Sequence, residues 1–260
     1  MKKKVRMIAI DLDRTLLRDD KTISEYSVKV LKECQARGII VAFATARSVD
    51  GSKRFVEQIK PDAVVNNGGS LVFAGDVVIY RRPMSVETTN TLLRLLHSAG
   101  KSVGYITTET NKGYFVNIPK EKYWTHSPPA IHVDFEKDLD AEAFKVVAEV
   151  FDSEISKAAI SALPLINVIE YTGEEFVQFF DKEAGKLQGV TALATHYNIA
   201  LEEVAAFGDD YNDLEMLKGC GIGVAMDNAI DEAKAIADYI CDTNENDGVA
   251  KWIWENLFDS

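Results

Sequence analysis

Residues 7–16 read MIAIDLDRTL, in which a short apolar run is followed at once by two aspartates two positions apart. Val5 to Ile10 has the length and apolar character of a buried parallel strand. In an open α/β sheet, ligands bind at the edge formed by the carboxyl ends of the strands. Asp11 and Asp13 therefore predict a polar site at the end of the first strand.

The sequence after this stretch alternates between helix and strand patterns. Tyr26 to Ala36 and Asp50 to Ile59 have helical spacing, and apolar strand-length runs follow them at Ile39 to Ala44 and Ala63 to Val65. This β-α-β-α-β order predicts a parallel sheet with right-handed crossovers. The same alternation returns near the end, where elements are expected at Lys186 to Tyr197, Val204 to Phe207, Leu214 to Lys218, Ile222 to Val224, Ile230 to Ala237, Tyr239 to Ile240 and Gly248 to Leu257.

The middle of the chain has a different pattern. It predicts helices over Ser85 to Ala99 and Ala141 to Phe151, together with short alternating runs typical of an antiparallel sheet. These strands are expected at Val103 to Thr107, Tyr114 to Ile118, Val133 to Glu136, Lys157 to Ala162, Asn167 to Tyr171 and Glu175 to Phe180. We therefore predict a discontinuous α/β core of residues 1–83 and 184–260, with residues 84–183 inserted as an α+β domain.

The composition excludes several classes of protein. The 260 residues are 47 % apolar, which is too apolar for a disordered chain. The 29 basic and 41 acidic residues give a net charge of −12, which argues against a nucleic-acid-binding surface. No apolar run approaches the roughly 20 residues that span a bilayer, so no membrane association is expected.

The cysteine pattern and the N-terminal sequence indicate a compartment. Cys34, Cys220 and Cys241 are far apart and form no CxxC pair, and the four histidines show no metal-binding spacing. Val5 to Ile10 is too short for a signal peptide and is followed directly by Asp11. These features predict a cytoplasmic protein with reduced thiols.

The pair Asp11 and Asp13 is the most informative chemical signal. Two carboxylates this close cannot both ionise freely unless a cation lies between them. The pair therefore fits either a Mg²⁺ site or a nucleophile beside an acid–base group. A turn or helix N-cap that uses aspartates is the alternative.

A second acidic cluster, GDDYND at residues 208–213, follows the strand expected at Val204 to Phe207. Mg²⁺ typically takes one or two carboxylates, waters and substrate phosphate as ligands, so Asp209 is a candidate to complete a site begun by Asp11. An acidic loop that caps the next helix is the alternative.

Two further segments suit a phosphate group. Thr45-Ala46-Arg47 follows the second strand, and a hydroxyl with exposed amides at such a junction can hold a phosphate oxygen. Lys186 lies in the first turn of its helix, although cations prefer the C-terminal end. An ordinary turn and a surface lysine are the respective alternatives.

Taken in order, these segments resemble the four motifs of the haloacid dehalogenase-like (HAD) phosphohydrolases, most closely the Cof-type, class IIB branch. The matching motifs are Asp11-x-Asp13-x-Thr15, Thr45, Lys186 and Gly208-Asp209-Asp210-x-Asn212-Asp213, supported by Asn67-Gly68, Gly223 to Ala229 and Asp247 to Ala250. The resemblance implies a HAD-like Rossmannoid parallel-sheet core. It also implies that the inserted α+β domain is a cap that closes over the active site and selects the leaving group.

The resemblance implies a role for each matching residue. Asp11 resembles the nucleophile that forms an aspartyl-phosphate, and Asp13 the acid that protonates the leaving alcohol and then activates water. Mg²⁺ would bind the carboxylates of Asp11 and Asp209 and the main-chain carbonyl of Asp13, with Asp213 as a ligand or support. The residues implied to hold the phosphate or substrate are Thr45, the Ala46 amide, Arg47, Lys186 and Asn212.

Three positions depart from the family pattern. Arg14 stands where glycine is usual, and its side chain is expected either to point outward or to reach the substrate. Ala46 replaces a common glycine, as does Leu187 after Lys186. Arg47 has two open roles, since it can pair with the substrate or tie its own loop.

The implied activity is Mg²⁺-dependent hydrolysis of small phosphomonoesters by a monomer or homodimer. Sugar phosphates are the first substrate class, and phosphorylated cofactors such as pyridoxal phosphate or flavin mononucleotide are the next. A phosphomutase of the same superfamily, a phospho-receiver regulator and an inactive metal-binding scaffold are the alternatives. Specificity is expected within residues 84–183, where five residues are open as contacts: Glu109, Asn111, Lys112, His126 and Tyr171.

Overall fold

Both ends of the chain contribute strands to one eight-stranded sheet. The computed structural model describes residues 4–122, 129–170 and 175–258, so His126 and Tyr171 lie outside the described residues. The chain divides into two compact units, Met1–Arg81 with Gly185–Ser260, and Arg82–Ala184. The roles of core and cap that the sequence suggests for residues 1–83 with 184–260 and for residues 84–183 stay predictions.

The elements of both units are numbered here in chain order. The strands are β1 (Met7–Ile10), β2 (Ile40–Ala44), β3 (Ala63–Asn66), β4 (Leu71–Ala74), β5 (Val77–Arg81), β6 (Val103–Thr110), β7 (Gly113–Val116), β8 (Ala130–His132), β9 (Ala143–Val150), β10 (Ile166–Glu170), β11 (Phe176–Asp181), β12 (Val204–Gly208), β13 (Ile222–Met226) and β14 (Tyr239–Cys241). The helices are α1 (Glu25–Ala36), α2 (Val49–Ile59), α3 (Val86–Ser98), α4 (Glu154–Ala162), α5 (Lys186–His196), α6 (Leu214–Gly219), α7 (Asp231–Ile236) and α8 (Gly248–Ile253).

The sheet of the first unit has the order β14-β13-β12-β1-β2-β3-β4-β5. The strands from β14 to β3 pair in parallel, whereas β4 and β5 form an antiparallel hairpin at one edge. Every residue of β1 and β12 is buried, as expected for central parallel strands that are covered on both faces. This confirms the α/β class and the parallel sheet predicted from the sequence.

The register of β1 aligns the ends of three neighbouring strands. Ile10 lies opposite Phe43 of β2 and Phe207 of β12. The residues that follow these strands therefore emerge at the same edge of the sheet. Asp11 is the first of them, and its backbone N–H donates to the Phe207 carbonyl at 3.0 Å.

The start of α5 is fixed by a close approach of two backbones. Gly69 has a φ of +110°, and a Cβ at this position would lie 2.0 Å from the Gly185 carbonyl oxygen. Only glycine tolerates both the conformation and the contact. Gly185 precedes the first residue of α5, so this approach sets the position of Lys186.

The second unit is a six-stranded sheet with the order β10-β11-β9-β6-β7-β8. All neighbours pair antiparallel except β7 and β8, which are parallel. The unit has its own apolar core, which includes Leu92 and Leu96 of α3, Ile106 of β6 and Phe179 of β11. A second domain of α+β type is thus observed within Arg82–Ala184.

Three local predictions in this unit are wrong. Ala141 to Phe151 was expected to be a helix, but Ala143–Val150 is strand β9, paired with both β6 and β11. Lys157 to Ala162 was expected to be a strand and belongs to helix α4. The strand expected at Val133 to Glu136 lies earlier, at Ala130–His132. At β9, pairing with strands on both sides outweighs the local helix propensity of the sequence.

Among the described residues, no helix combines the length and the apolar character needed to cross a bilayer.

The three cysteines are packing residues. Cys34, Cys220 and Cys241 are all buried and free of disulfides. Burial raises the pKa of each of these thiols to about 12, so all three are inert packing residues at neutral pH.

Candidate active site

Three carboxylates converge at the ends of β1 and β12. Asp11, Asp209 and Asp213 are all buried, and each offers one carboxylate oxygen within 4.8 Å of the others. Asp11 directly follows β1, and Asp209 directly follows β12, its neighbour in the sheet. The structure therefore brings together two acidic motifs that lie almost 200 residues apart in the chain.

A loop with tight packing brings Asp213 to the same place. Its Oδ2 accepts hydrogen bonds from the backbone N–H groups of Asp209 at 3.1 Å and Asp210 at 3.2 Å. A Cβ at Gly208 would lie 2.4 Å from the Asp213 Cγ, so glycine is required there for the carboxylate to fold back. This explains the glycine at the start of the GDDYND motif.

Lys186 lies inside this acidic cluster. Its Nζ donates to Asp11 Oδ1 at 2.6 Å, to Asp213 Oδ1 at 2.7 Å and to Asn212 Oδ1 at 3.1 Å. The side chain is only 1 % exposed, so the surface-lysine alternative is wrong. A helix N-terminus is an unfavourable place for a cation, and here two buried carboxylates offset that cost.

Burial and crowding determine the protonation of this cluster. Burial, with repulsion from Asp213 and Asp209, raises the pKa of Asp11 well above its usual range, although Lys186 opposes the shift. Burial and then Asp213 raise the pKa of Asp209 to about 7. Burial disfavours charge on Lys186, yet Asp11 and Asp213 raise the pKa of Lys186 above its usual value. Lys186 is therefore a fixed cation, whereas the carboxylates repel one another.

These residues fit a divalent cation. Three ionised carboxylates and one ammonium carry a formal charge of −2, which Mg²⁺ would neutralise. Carboxylate oxygens are the ligands that this hard cation prefers. The repulsion that raises the pKa of Asp11 and Asp209 is the repulsion that such a cation would relieve.

Asp13 lies in a different environment from Asp11. Arg47 forms a two-pronged ion pair with it, from Nε to Oδ2 at 2.6 Å and from Nη2 to Oδ1 at 2.7 Å. Lys21 Nζ adds a contact to Oδ1 at 2.9 Å. Burial by itself would raise the pKa of Asp13, but Arg47 and Lys21 outweigh it and hold that pKa below its usual range.

Arg47 also holds its own loop. Its Nη1 donates to the Gly51 carbonyl at 3.2 Å, and its backbone carbonyl accepts from the Asn67 N–H at 2.9 Å. These contacts favour the loop-tying role among the two that the sequence left open. The Arg47 side chain contacts the candidate site through its ion pair with Asp13.

The remaining candidate phosphate-binding residues lie at the same sheet edge. Thr45 follows β2 and is fully buried; its Oγ1 accepts from the Arg47 N–H at 3.1 Å, and its carbonyl accepts from the Gly68 N–H at 3.0 Å. Ala46 stands between Thr45 and Arg47 in this turn. Asn212 joins the buried cluster through Lys186.

Three residues outside the predicted set of site residues also contact these carboxylates, and one of them is Arg14, which the sequence left either to point outward or to reach the substrate. Thr15 Oγ1 donates to Asp209 Oδ1 at 2.8 Å, Lys21 contacts Asp13, and Arg14 Nε lies 3.8 Å from Asp209 Oδ2. Thr15 carried a signal, because it belongs to the first motif. Lys21 carried none, since it lies in a polar turn and reaches Asp13 only after that turn folds back.

The candidate cap contacts that are described lie in or beside β6. Glu109 is part of this strand, and Asn111 and Lys112 form the turn to β7. Asn111 Oδ1 accepts from the Glu142 N–H at 3.1 Å, and Lys112 Nζ contacts Asp140 at 2.6 Å. These two contacts lie within the second unit and favour local roles in its turns.

Comparison with known proteins agrees with this geometry. Residues 8–253 match the family model of the haloacid dehalogenase-like hydrolases. Two Bacillus subtilis (strain 168) proteins, the 5-amino-6-(5-phospho-D-ribitylamino)uracil phosphatases YcsE and YitU, are each 28 % identical to the chain. The YcsE alignment covers 96 % of this chain and 94 % of the relative, and the YitU alignment covers 98 % of each.

A solved structure gives the same result for the fold. A haloacid dehalogenase-like hydrolase from Bacteroides thetaiotaomicron is 26 % identical, covers 98 % of this chain and 100 % of its own, and superimposes with a TM-score of 0.83. The family match spans both units and includes all four motif segments. The chain therefore belongs to the haloacid dehalogenase-like hydrolases and is a phosphatase of the Cof type that its motifs resemble.

Proposed function

We propose that this protein is a cytoplasmic, Mg²⁺-dependent phosphatase of small phosphomonoesters and that Asp11 is its nucleophile. The observation that carries the proposal is the position of Asp11, buried at the end of β1 and 2.6 Å from Lys186 Nζ. A carboxylate held in this way has one defined orientation toward an incoming phosphate. The adjacent fixed cation favours the approach of a second anion.

The first chemical step forms an aspartyl-phosphate. An oxygen of Asp11 attacks phosphorus, the bond from phosphorus to the alcohol oxygen breaks, and Asp13 supplies the proton that the alcohol needs. Lys186, Asn212, Thr45 and the Ala46 amide bind the phosphoryl oxygens. The side chains of Asp11, Asp209 and Asp213 and the Asp13 carbonyl would hold Mg²⁺, which would supply positive charge to offset the repulsion between carboxylate and phosphate.

The second step returns Asp11 to its starting form. Asp13 takes a proton from water, the water oxygen attacks phosphorus, and the bond to Asp11 breaks to release phosphate. Arg47 and Lys21 keep Asp13 ionised, which is the state this step requires. The first step requires a protonated Asp13, so these ion pairs must loosen when substrate binds.

The proposed substrates are sugar phosphates or phosphorylated cofactors. The relatives YcsE and YitU support this class, because their names describe phosphatases of a phosphorylated ribityl compound. We also propose that residues 84–183 are the cap that selects among such substrates. Residues 1–83 and 184–260 then form the catalytic core.

The test combines a substrate panel with detection of the intermediate. The purified full-length protein is incubated with sugar phosphates, pyridoxal phosphate, flavin mononucleotide and 5-amino-6-(5-phospho-D-ribitylamino)uracil, and free phosphate is measured. We expect release with at least one compound, loss of release with a chelator and recovery with added Mg²⁺. Acid quenching and mass spectrometry should find phosphate on the peptide that contains Asp11.

Each outcome of this test is informative. Rearranged sugar phosphate in place of free phosphate would indicate a phosphomutase. Full activity in metal-free buffer would contradict the role of Mg²⁺. Phosphate release with no phosphate on the Asp11 peptide, in a quench that traps a known aspartyl-phosphate, would contradict the nucleophile.

A further inference from the structure

Arg14 holds an unusual backbone position beside the buried acidic cluster. Its φ is +59°, a left-handed conformation that costs a residue with a side chain more than it costs glycine. The position lies between Asp13 and Thr15, in the loop that carries the first motif. A side chain kept here at a backbone cost is a candidate for a specific role.

The guanidinium of Arg14 is held in place although the side chain is 60 % exposed. Its Nη2 donates to the Asn228 carbonyl at 3.2 Å, and the Asn228 side-chain amide donates to the Arg14 carbonyl at 2.7 Å. Asn228 is itself fixed, since its Oδ1 accepts from the Asn244 N–H at 2.9 Å. The charge of Arg14 therefore has a defined location.

That location is next to one oxygen of Asp209. Arg14 Nε lies 3.8 Å from Asp209 Oδ2, while Oδ1 accepts the hydrogen bond from Thr15. Because Thr15 engages Oδ1, Oδ2 is the oxygen better placed for a cation. A cation bound to Oδ2 would meet the positive charge of Arg14 at much less than the Debye length of about 8 Å.

We propose that Arg14 is a positioning residue that weakens the binding of Mg²⁺ at Asp209. The proposal rests on the metal site of the proposed function. Arg14 already satisfies part of the negative charge of Asp209, and it repels a second cation on the same carboxylate. For charges of +1 and +2 a few ångströms apart, partly screened by water, this repulsion corresponds to a roughly five- to tenfold weaker binding constant.

The test measures Mg²⁺ binding directly. Arg14→Gly and Arg14→Asn remove the charge, and both replacement residues tolerate a positive φ. Isothermal titration calorimetry with MgCl₂ and the full chain, without substrate, gives the dissociation constant. We expect both variants to bind Mg²⁺ roughly five- to tenfold more tightly than wild type, and the difference to shrink at 0.5 M salt.

A matched control isolates the local effect of the charge. Arg94→Gln removes one positive charge from an exposed ion pair with Asp138 in the second unit, and it should leave Mg²⁺ affinity unchanged. Unchanged or weaker Mg²⁺ binding by folded Arg14→Gly and Arg14→Asn would overturn the inference. That result is expected if Arg14 only holds its loop through its hydrogen bonds with Asn228. Absence of Mg²⁺ binding by the wild-type protein would instead contradict the metal site of the proposed function.

Discussion

Asp11 and Asp13 are two residues apart, yet their surroundings are opposite. The Asp11 side chain is 8 % exposed and shares its site with two other carboxylates and one lysine. The Asp13 side chain is 38 % exposed and contacts two cations, Arg47 and Lys21. Burial raises the pKa of the first, and ion pairing lowers the pKa of the second.

This difference supports the proposal that one short motif supplies two chemical roles. A bound metal cation would stabilise the ionised form of Asp11, which is buried among like charges and lies next to the positive charge of Lys186. A partly exposed carboxylate is open to water, so Asp13 can exchange protons with it once the ion pairs to Arg47 and Lys21 loosen. Pairs of carboxylates whose environments separate their pKa values are typical of acid–base and nucleophile assignments.

The largest effect in the comparison of Asp11 with Asp13 is expected when the proposed nucleophile, Asp11, is replaced. Asp11→Asn keeps the shape of the side chain but lacks the anionic oxygen, so turnover should fall by the order of 10⁴-fold or more. Phosphate release under saturating Mg²⁺ measures the effect, and circular dichroism checks the fold. Asp76→Asn, an exposed carboxylate in the β4–β5 turn, should retain wild-type activity. Near-normal phosphate release by Asp11→Asn would exclude the nucleophile assignment.

A smaller loss is expected when the proposed acid–base residue is changed. Asp13→Asn cannot transfer a proton, and positioned proton transfer contributes roughly 10²- to 10⁴-fold. Substrates whose leaving group needs no proton, such as p-nitrophenyl phosphate, should lose less activity than alkyl phosphates. Equal losses for both substrate types would contradict the role of Asp13 as the acid of the first step.

The buried cluster should be sensitive to the loss of its cation. Lys186→Met leaves buried carboxylates without their ion-pair partner and should lower the free energy of unfolding by about 3–5 kcal/mol. Urea denaturation in the presence of a chelator measures this. Lys251→Met, which removes an exposed ion pair with Asp242, is the control and should unfold close to wild type. Similar stabilities for the two variants would show that the Lys186 cluster is not energetically distinct.

The smallest effect on stability is expected at the partly exposed ion pair between Lys21 and Asp13. Lys21 is 41 % exposed where it contacts Asp13, so Lys21→Met should change the free energy of unfolding by about 1 kcal/mol or less. The same urea experiment applies. A loss as large as that of Lys186→Met would contradict the distinction between the buried and the partly exposed carboxylate.

Prediction from sequence succeeded where local pattern and tertiary environment agree. The strands β1, β2 and β12 are short apolar runs that end at polar motifs, and the parallel order follows from alternation with helices. It failed at β9, where alanine, lysine and glutamate favour a helix while β6 and β11 supply partners on both sides. It failed again at α4, whose small residues carry little periodic signal.

The sequence by itself determined that acidic motifs follow particular strands, because strand length and alternation place the ends of parallel strands at one edge. Only the tertiary structure decided which carboxylate is buried with Lys186, 175 positions away, and which pairs with Arg47 and Lys21. The physical reason is that burial and ion pairing depend on neighbours in space. Charge and protonation at Asp11 and Asp13 are therefore properties of the folded chain.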